Sequence, residues 1–349
     1  MHLKQPAASG AVLVMVSVLS AAVSAGQWRL QPVAVKTTYR TVSAVAPAVV
    51  WAAGSRGSFS YSTDGGANWQ HGTVAGAEEL DFRDVHAVDA GEAYLLSSGP
   101  ADKSRIYKTM DGGRTWKLQF ISANPKASFD GFAFWDDQNG IAVSDPIDGR
   151  FLIIRTTDGG ESWWEIPFAN APRALPGETA FSTGASITVQ GNTHAWLATG
   201  GAAARVLRSG DRGFTWLAAE TPITAGSPSS GISSIAFRDE LHGVIVGGNY
   251  EKPHQRSINF ARTNDGGKTW TRAGQLPAYR SAVAYVSGPS GHRLLAVGPT
   301  GSDYSDNEGS TWQRVNSELK FHALSFFSDA PVGWAVGEAG AIGKWSHEL

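Results

Sequence analysis

One short phrase occurs six times along the chain, and its spacing constrains the fold more than any other feature. The phrase follows the pattern Ser/Thr-x-Asp-x-Gly-x-x-Trp, with asparagine in place of aspartate in the last copy. The copies are STDGGANW (62–69), TMDGGRTW (109–116), TTDGGESW (156–163), SGDRGFTW (209–216), TNDGGKTW (263–270) and SDNEGSTW (305–312). Repeats that recur every ~40 to 50 residues are typical of propellers and solenoids.

The segments between these copies predict four short antiparallel strands per repeat. Residues 232–274 show this best, because SSIAFRD, HGVIVGG, INFART and TWTRAG each fit a strand and the phrase separates the last two. We call the six phrases the repeat turns. Their glycines accept positive φ, their aspartate or asparagine can accept hydrogen bonds from turn amides, and their tryptophan can cover a neighbouring sheet. We therefore expect structural roles for Asp64, Trp69, Asp111, Trp116, Asp158, Trp163, Asp211, Trp216, Asp265, Trp270, Asn307 and Trp312.

The two ends of the chain complement each other. The segment after the sixth repeat turn supplies three strands, at 321–327, 332–336 and 341–346, and no fourth. The segment QWRLQPVAV (27–35) looks like a fourth strand that lacks its own turn. We predict that Trp28 begins an outer strand that completes the last sheet. The expected fold is all-β, a seven-bladed β-propeller of four-stranded antiparallel blades spanning 26–349.

Residues 1–25 have the features of a secretory signal peptide. Lys4 precedes an apolar run at 11–23, and the small residues VSA (23–25) suit cleavage after Ala25. The expected location is periplasmic or secreted, with no membrane span after cleavage. The chain contains no cysteine, which excludes disulfides, thiolate metal ligands and lipid attachment through a cysteine.

Several functional classes lack their sequence signals. The formal net charge is −2 and no basic stripe occurs, so we expect no nucleic-acid partner. The nine histidines show no zinc-binding spacing, and no dinucleotide fingerprint follows a strand. We predict no metal-binding site among the candidate residues and no cofactor, and the sequence leaves open a structural calcium ion in the channel. The sequence does not predict an oligomeric state.

Long, irregular loops are expected on the face opposite the repeat turns, where binding residues of a rigid scaffold usually lie. In a meandering blade this face carries the loops between second and third strands and the connections between blades. The candidate ligand-binding residues there are Asp145, Arg150, Glu178, Arg205, Asn249, Tyr250 and Arg280, with Arg56 and Arg105 in similar loops. The alternative interpretation is that these residues form turns and salt bridges between blades.

The repeat turns resemble the Asp-box, or bacterial neuraminidase repeat. Together with second strands such as GVIVGG and GWAVGEAG, they make nearly all of 27–349 similar to propellers of the photosystem II assembly and stability factor group, among WD40-like and YVTN-like relatives. This resemblance implies a non-catalytic scaffold that binds a protein or glycan partner on the face opposite the repeat turns.

Two other functions remain open from the sequence. The first is a sialidase-type glycoside hydrolase, since Asp-boxes also occur in sialidases. It would pair Tyr250 as nucleophile with Glu178, use Asp145 as the acid, and grip a carboxylate with Arg150, Arg205 and Arg280. However, the chain has no Phe/Tyr-Arg-Ile-Pro phrase, which sialidases carry near their first arginine. The second is a carbohydrate- or peptide-binding module at the cell surface.

Overall fold

The computed structural model describes residues 1–2, 26–33, 35–181, 186–288, 293–315 and 318–346. The proposed signal peptide and its cleavage site lie outside these residues, apart from the first two. Strand β1 spans Gln27–Leu30. The first four-stranded sheet along the chain contains β2 (Tyr39–Ala44), β3 (Val50–Gly54), β4 (Ser58–Ser62) and β5 (Gln70–Thr73). The second contains β6 (Asp81–Ala87), β7 (Ala93–Ser98), β8 (Arg105–Thr109) and β9 (Lys117–Ile121). The third contains β10 (Phe129–Phe134), β11 (Gly140–Ile147), β12 (Arg150–Thr156) and β13 (Trp164–Glu165).

The middle of the chain forms a larger sheet. Its strands are β14 (Glu178–Ala180), β15 (Ile187–Gln190), β16 (His194–Gly201), β17 (Arg205–Ser209), β18 (Leu217–Glu220), β19 (Ser227–Phe237), β20 (Gly243–Asn249), β21 (Phe260–Thr263) and β22 (Thr271–Arg272). The pairing of β16 with β19 merges what would otherwise be two four-stranded units. Gly200 and Gly231 are partners in this pairing, and a side chain on Gly231 would collide with the backbone of Gly200, while one on Gly200 would collide with the ring of Phe181.

The chain ends with two further sheets. One contains β23 (Ala282–Val286), β24 (Arg293–Gly298), β25 (Gly301–Ser305) and β26 (Gln313–Arg314). The other contains β27 (Ala323–Phe326), β28 (Gly333–Val336) and β29 (Ile342–Ser346), and β1 pairs antiparallel with β29 at its edge. The helices among the described residues are two 3₁₀ turns, Ala101–Lys103 and Glu338–Gly340. Within the described ranges no helix has the length and hydropathy needed to span a bilayer.

The first strands of the sheets pack against one another, and polar side chains link them. Strand β2 contacts β6 and β27, β6 contacts β10, β10 contacts β15, β15 contacts β19, β19 contacts β23, and β23 contacts β27. The hydroxyl of Thr41 accepts a hydrogen bond from the amide of Val85, and Asp84 accepts one from the amide of Phe132. Ser234 and Ser325 accept equivalent bonds from the next sheet. Backbone donors that face the interior are thereby satisfied across sheet boundaries.

The repeat turns have the geometry expected from their sequence. In the second copy, Asp111 accepts hydrogen bonds from the Thr115 amide and hydroxyl at 2.8 and 2.6 Å, while Thr109 accepts one from the Gly113 amide. Asn307 makes the same amide contact in the last copy, and its side-chain amide donates to the Thr311 hydroxyl instead. The aspartates therefore tie their own turns together.

In the first, second and sixth repeat turns the tryptophan packs on an aromatic residue of the preceding sheet. Trp116 lies edge-on to Trp51 and Phe59, and Trp69 lies edge-on to Trp334. These contacts bury aromatic area between neighbouring sheets, as the sequence predicts. The fold is all-β, built from antiparallel sheets that are mostly four-stranded, as in a β-propeller. The predicted strands of residues 232–274 are present, although the fourth, β22, is only two residues long.

Candidate functional site

A cavity of about 480 Å³ opens where the first strands begin and the second strands end. In the sheets that contain a repeat turn, this is the strand end opposite that turn. Its size is within the usual range for ligand pockets. The lining residues are Arg40, Arg83, Asp130, Asp145, Thr179, Ala180, Phe181, Pro228, Tyr250, Tyr279, Ser281, Pro299 and His322.

One arc of the cavity is cationic. Arg40 on β2 and Arg83 on β6 both reach Oδ2 of Asp81, with Nε to Oδ2 distances of 3.5 and 3.0 Å. His322, just before β27, lies beside them, and its Nε2 is 3.7 Å from Glu338. Burial, assisted by the positive charge of Arg40, lowers the pKa of His322. The histidine is therefore neutral at pH 7, and the arginines supply the positive charge.

The next sheet contributes acidic groups. Asp130 on β10 is 3% exposed and accepts a hydrogen bond from Ser98. Asp145 on β11 accepts one from the amide of Ala180 at 3.0 Å. Burial raises the pKa of Asp145 to about 6, because the carboxylate loses water without gaining a nearby cation.

The remaining wall is largely aromatic. The rings of Phe181 and Tyr250 are tilted against each other with centroids 5.9 Å apart, and Tyr279 is buried behind them. Tyr250 is 48% exposed and stands at the rim. Aromatic side chains with one polar end are well suited to contact both apolar and polar parts of a ligand.

Two of the predicted binding residues, Asp145 and Tyr250, line this cavity. Glu178 and Arg205 do not, since they form a buried ion pair with each other. Oε1 of Glu178 accepts from Thr199 and from Nε of Arg205, and Oε2 accepts from the Leu175 amide and from Nη2 of Arg205. The Glu178 side chain has no exposed area, so in this arrangement it does not activate Tyr250 as a sialidase-type mechanism requires.

The other predicted residues make local contacts. Arg280 is fully buried and bonded to Asp303, with Nε 2.6 Å from the carboxylate. Arg150 donates to the carbonyls of Ala169 and Ala171 and lies over the ring of Phe168. Asn249 accepts from the amides of Glu251 and Lys252 and so forms its own turn. The structure does not direct Arg150, Arg205 and Arg280 to one shared ligand.

The two arginines in similar loops, Arg56 and Arg105, also lie in local turns or make local contacts. Arg56 has φ of +60° in the turn between β3 and β4. Arg105 donates to the carbonyl of Asp102 and to the hydroxyl of Tyr107. The alternative interpretation given above, turn formation and internal salt bridges, describes these contacts.

Sequence analysis missed Arg40, Arg83, Asp130 and His322. A signal for them exists, because each follows an aromatic residue at the start of a first strand, in TYRT, DFRD, SFDG and KFHA. The aromatic residue is buried in its sheet, and the next residue along an extended strand points the other way, towards the cavity. Among the described residues, no group of three histidine, aspartate or glutamate side chains is placed to hold a metal ion.

Comparison with solved structures places the chain among β-propellers. It superimposes on YCF48 bound to a D1 peptide with a TM-score of 0.68 and 15% identity, covering 93% of this chain and 96% of that one. It also superimposes on an inactive virginiamycin B lyase from Staphylococcus aureus with quinupristin, with a TM-score of 0.66, 15% identity, and 92% and 99% coverage. At these identities the likeness shows the fold alone.

The sequence itself is similar to a curated protein. It is 27% identical over 265 residues to the photosystem II assembly lipoprotein Ycf48 of Synechococcus sp. (strain CC9902), covering 71% of this chain and 68% of that protein. No family model matches the chain. The resemblance to propellers of the photosystem II assembly factor group, predicted from the repeat turns and second strands, is confirmed.

Proposed function

We propose that this chain is a non-catalytic binding scaffold that holds a segment of a partner protein in the cavity between its first strands. The observation that carries the proposal is the cavity itself, because charged and aromatic side chains from several sheets converge there on the rigid ends of strands. The partner contacts the face opposite the repeat turns. Asp145, Tyr250, Arg40 and Arg83 make the first contacts.

The relatives support a protein partner over a glycan. The curated relative is described as an assembly protein, and the structurally similar YCF48 is described as bound to a peptide. The partner of those proteins is not carried over to this chain. What is carried over is the kind of ligand, a polypeptide segment.

The scaffold is proposed to be a seven-bladed ring closed by β1. Two observations support this. The packing of first strands, followed from β2 through β6, β10, β15, β19 and β23 to β27, leads back to β2. The last sheet receives its fourth strand from the N-terminal segment through the pairing of Trp28 with Trp345. Closure leaves no unpaired seam between first and last sheets.

The chain is proposed to act outside the cytoplasm. Support comes from the signal-peptide features of residues 1–25 and from the curated relative, which is described as a lipoprotein. This chain has no cysteine that could carry a lipid, so the proposed form is periplasmic or secreted after cleavage.

Capture of partners from an envelope fraction tests the function. Residues 26–349 are immobilised, and the bound proteins are compared with those captured by an Arg40→Gln/Arg83→Gln variant and by Tyr250→Ala. Arg114→Gln, an exposed arginine in a repeat turn, serves as the matched control. We expect the cavity variants, but not the control, to lose the same bound protein. Equal capture by all variants would show that the cavity is not the binding site.

Hydrolysis assays separate the scaffold from the enzyme hypothesis. The purified chain is incubated with a fluorogenic sialoside, with Tyr250→Phe as the comparison. We expect no hydrolysis by either protein, because Glu178 is already saturated by Arg205, Thr199 and Leu175. Turnover that is abolished by Tyr250→Phe would replace the proposed function with a glycoside hydrolase.

A further inference from the structure

The charges of the cavity are sorted by position. The cationic arc consists of Arg40 on β2 and Arg83 on β6, and the neutral His322 lies beside it just before β27. The acidic groups Asp130 and Asp145 come from the sheet that follows. The aromatic wall comes from the sheets beyond it. Because the positive and negative groups lie on different sides of the cavity, a ligand that carries both a negative and a positive charge would be held in one orientation.

The cationic arc has more positive than negative charge. Two guanidinium groups share one carboxylate oxygen of Asp81, and across the described residues this is the only carboxylate within 4 Å of either one. Both arginine side chains are about a third exposed, so a ligand can reach them. An acidic group would supply the missing partner and could accept paired hydrogen bonds from a guanidinium.

The acidic side of the cavity has a carboxylate, Asp145, without a nearby cation among the described residues. One oxygen of Asp145 accepts the Ala180 amide, and in the described part of the chain no lysine, arginine or histidine nitrogen lies within 4 Å of its carboxylate. Burial raises the pKa of Asp145, and the hydrogen bond from the Ala180 amide only partly opposes this shift. A basic group beside Asp145 would favour its ionised form. The exposed ring of Tyr250 lies on the same cavity and can contact a cation or an apolar side chain.

We propose that the cavity selects a segment carrying both an acidic and a basic side chain, the acidic one bound by Arg40 and Arg83 and the basic one by Asp145. This rests on the proposed function, since it names the chemistry of the segment held in the same cavity. An apolar side chain of the segment contacts Phe181 and Tyr250. Neither charge alone satisfies both sides of the cavity.

Binding of six blocked peptides to residues 26–349 tests the proposal by calorimetry. The probes are acetyl-Glu-Ala-Phe-Ala-Lys-amide, the reversed sequence, and the versions of each in which glutamine replaces either the glutamate or the lysine. Blocked termini leave the side chains as the only charges. We expect one of the two dipolar orders to bind tightest, and each neutralisation to weaken that peptide about tenfold, as for loss of a charge-assisted hydrogen bond.

Variants assign each charge to its side of the cavity. In Asp145→Asn, replacing the peptide lysine should no longer weaken binding, while replacing the glutamate still should. Arg83→Gln should show the reverse pattern. Asp148→Asn is the matched control for Asp145, since Asp148 is three residues away, exposed and paired with Lys126 outside the cavity. Arg114→Gln is the control for Arg83. Both controls should behave as the wild type.

The affinities of the peptides for the wild-type chain test the proposal by themselves. The result therefore does not depend on whether any variant folds. Equal affinity for charged and neutral peptides, or no measurable binding of any of them, overturns the inference. In that case the capture experiment still distinguishes the two proposals. Cavity-dependent capture would leave the scaffold function in place, and its absence would remove both.

Discussion

Trp28 lies directly opposite Trp345 in the pairing of β1 with β29, and the two indole rings meet edge to face with centroids 5.1 Å apart. Both side chains are 4% exposed, and Nε1 of Trp28 donates to the Ser302 hydroxyl at 3.1 Å. The N-terminal strand is thus joined to the last sheet and, through Ser302, to the sheet before it.

Trp28→Ala should therefore destabilise the whole fold. We expect a loss of about 3 to 5 kcal/mol in the free energy of unfolding, as for other buried aromatic truncations. Denaturant melts measure it. Leu30→Ala is the control on the same strand, because Leu30 is 54% exposed and should change stability by less than about 0.5 kcal/mol. If both variants melt alike, β1 is not part of the cooperative structure.

The repeat turns should contribute to stability in a pH-dependent way. Hydrogen bonds from the Thr115 hydroxyl and amide lower the pKa of Asp111 to about 2. A carboxyl whose pKa is lower in the folded than in the unfolded chain stabilises the fold above the unfolded pKa of about 3.9, and this stability is lost as the pH falls towards 2.

Asp111→Asn should keep the turn and remove its share of that pH dependence, since Asn307 makes the same amide contact in the sixth repeat turn. Asp111→Ala should lower the melting temperature at pH 7 more than Asp111→Asn does. Thermal melts between pH 2 and 7 check both statements. Identical profiles for the three proteins would mean that the carboxylate does not support its turn.

The turns and strand order could be predicted from sequence because they depend on residues that are close in the chain. A glycine pair, a short acceptor and a tryptophan act within eight residues, so the pattern is visible without the fold. The partners of Arg205 and Arg280 could not be predicted this way. Both are satisfied by a carboxylate more than 20 residues away, and which one depends on how the loops pack.

The cavity was harder to predict for the same reason. Arg40, Asp130 and His322 lie far apart in sequence, and only the packing of first strands brings their ends together. Glu178 was expected among the ligand-binding residues of the irregular loops. In the structure Glu178 is buried and forms an ion pair with Arg205. A buried carboxylate is stable only when a cation and hydrogen-bond donors compensate for its lost hydration.

The stability of an Arg205 variant tests whether this arginine has a structural role in its pair with Glu178 or is available to bind a ligand. Arg205→Ala leaves the buried Glu178 without its cation and should cost about 3 to 5 kcal/mol of stability. Lys126→Ala breaks the exposed pair with Asp148 and should cost less than about 1 kcal/mol. Urea melts of the two variants provide the comparison. Unchanged stability in Arg205→Ala would mean that this arginine is available for another role.

Asp84 should make the stability of the fold fall as the pH rises from about 4 to about 8. Burial raises its pKa to about 8, although the amides of Phe132 and Val85 and the Thr41 hydroxyl oppose the shift. Because the folded pKa is above the unfolded one, the contribution of Asp84 is complete below pH of about 4 and is lost as the pH rises through 8.

Asp84→Asn cannot ionise, so its stability relative to the wild type should improve steadily from pH 5 to about pH 8 and change little above that. The slope of this difference is the relevant measurement, since the absolute level also includes the new contact of the amide group with Phe132 or Val85. Unfolding free energies at several pH values provide it. A difference that is constant with pH would show that Asp84 does not titrate in this range.

The pairing of β1 with β29 also bears on how the polypeptide reaches its final form. The hydroxyl of Ser346 donates to the carbonyl of Gln27 across 319 residues, so β1 is synthesised long before β29, the strand with which it pairs. Until they meet, the edge of β29 presents unpaired backbone groups that a strand from another molecule can occupy. If β1 is absent from its own last sheet, the edge of β29 can pair instead with β1 of another molecule. This exchange of an identical strand is the geometry of a domain-swapped dimer.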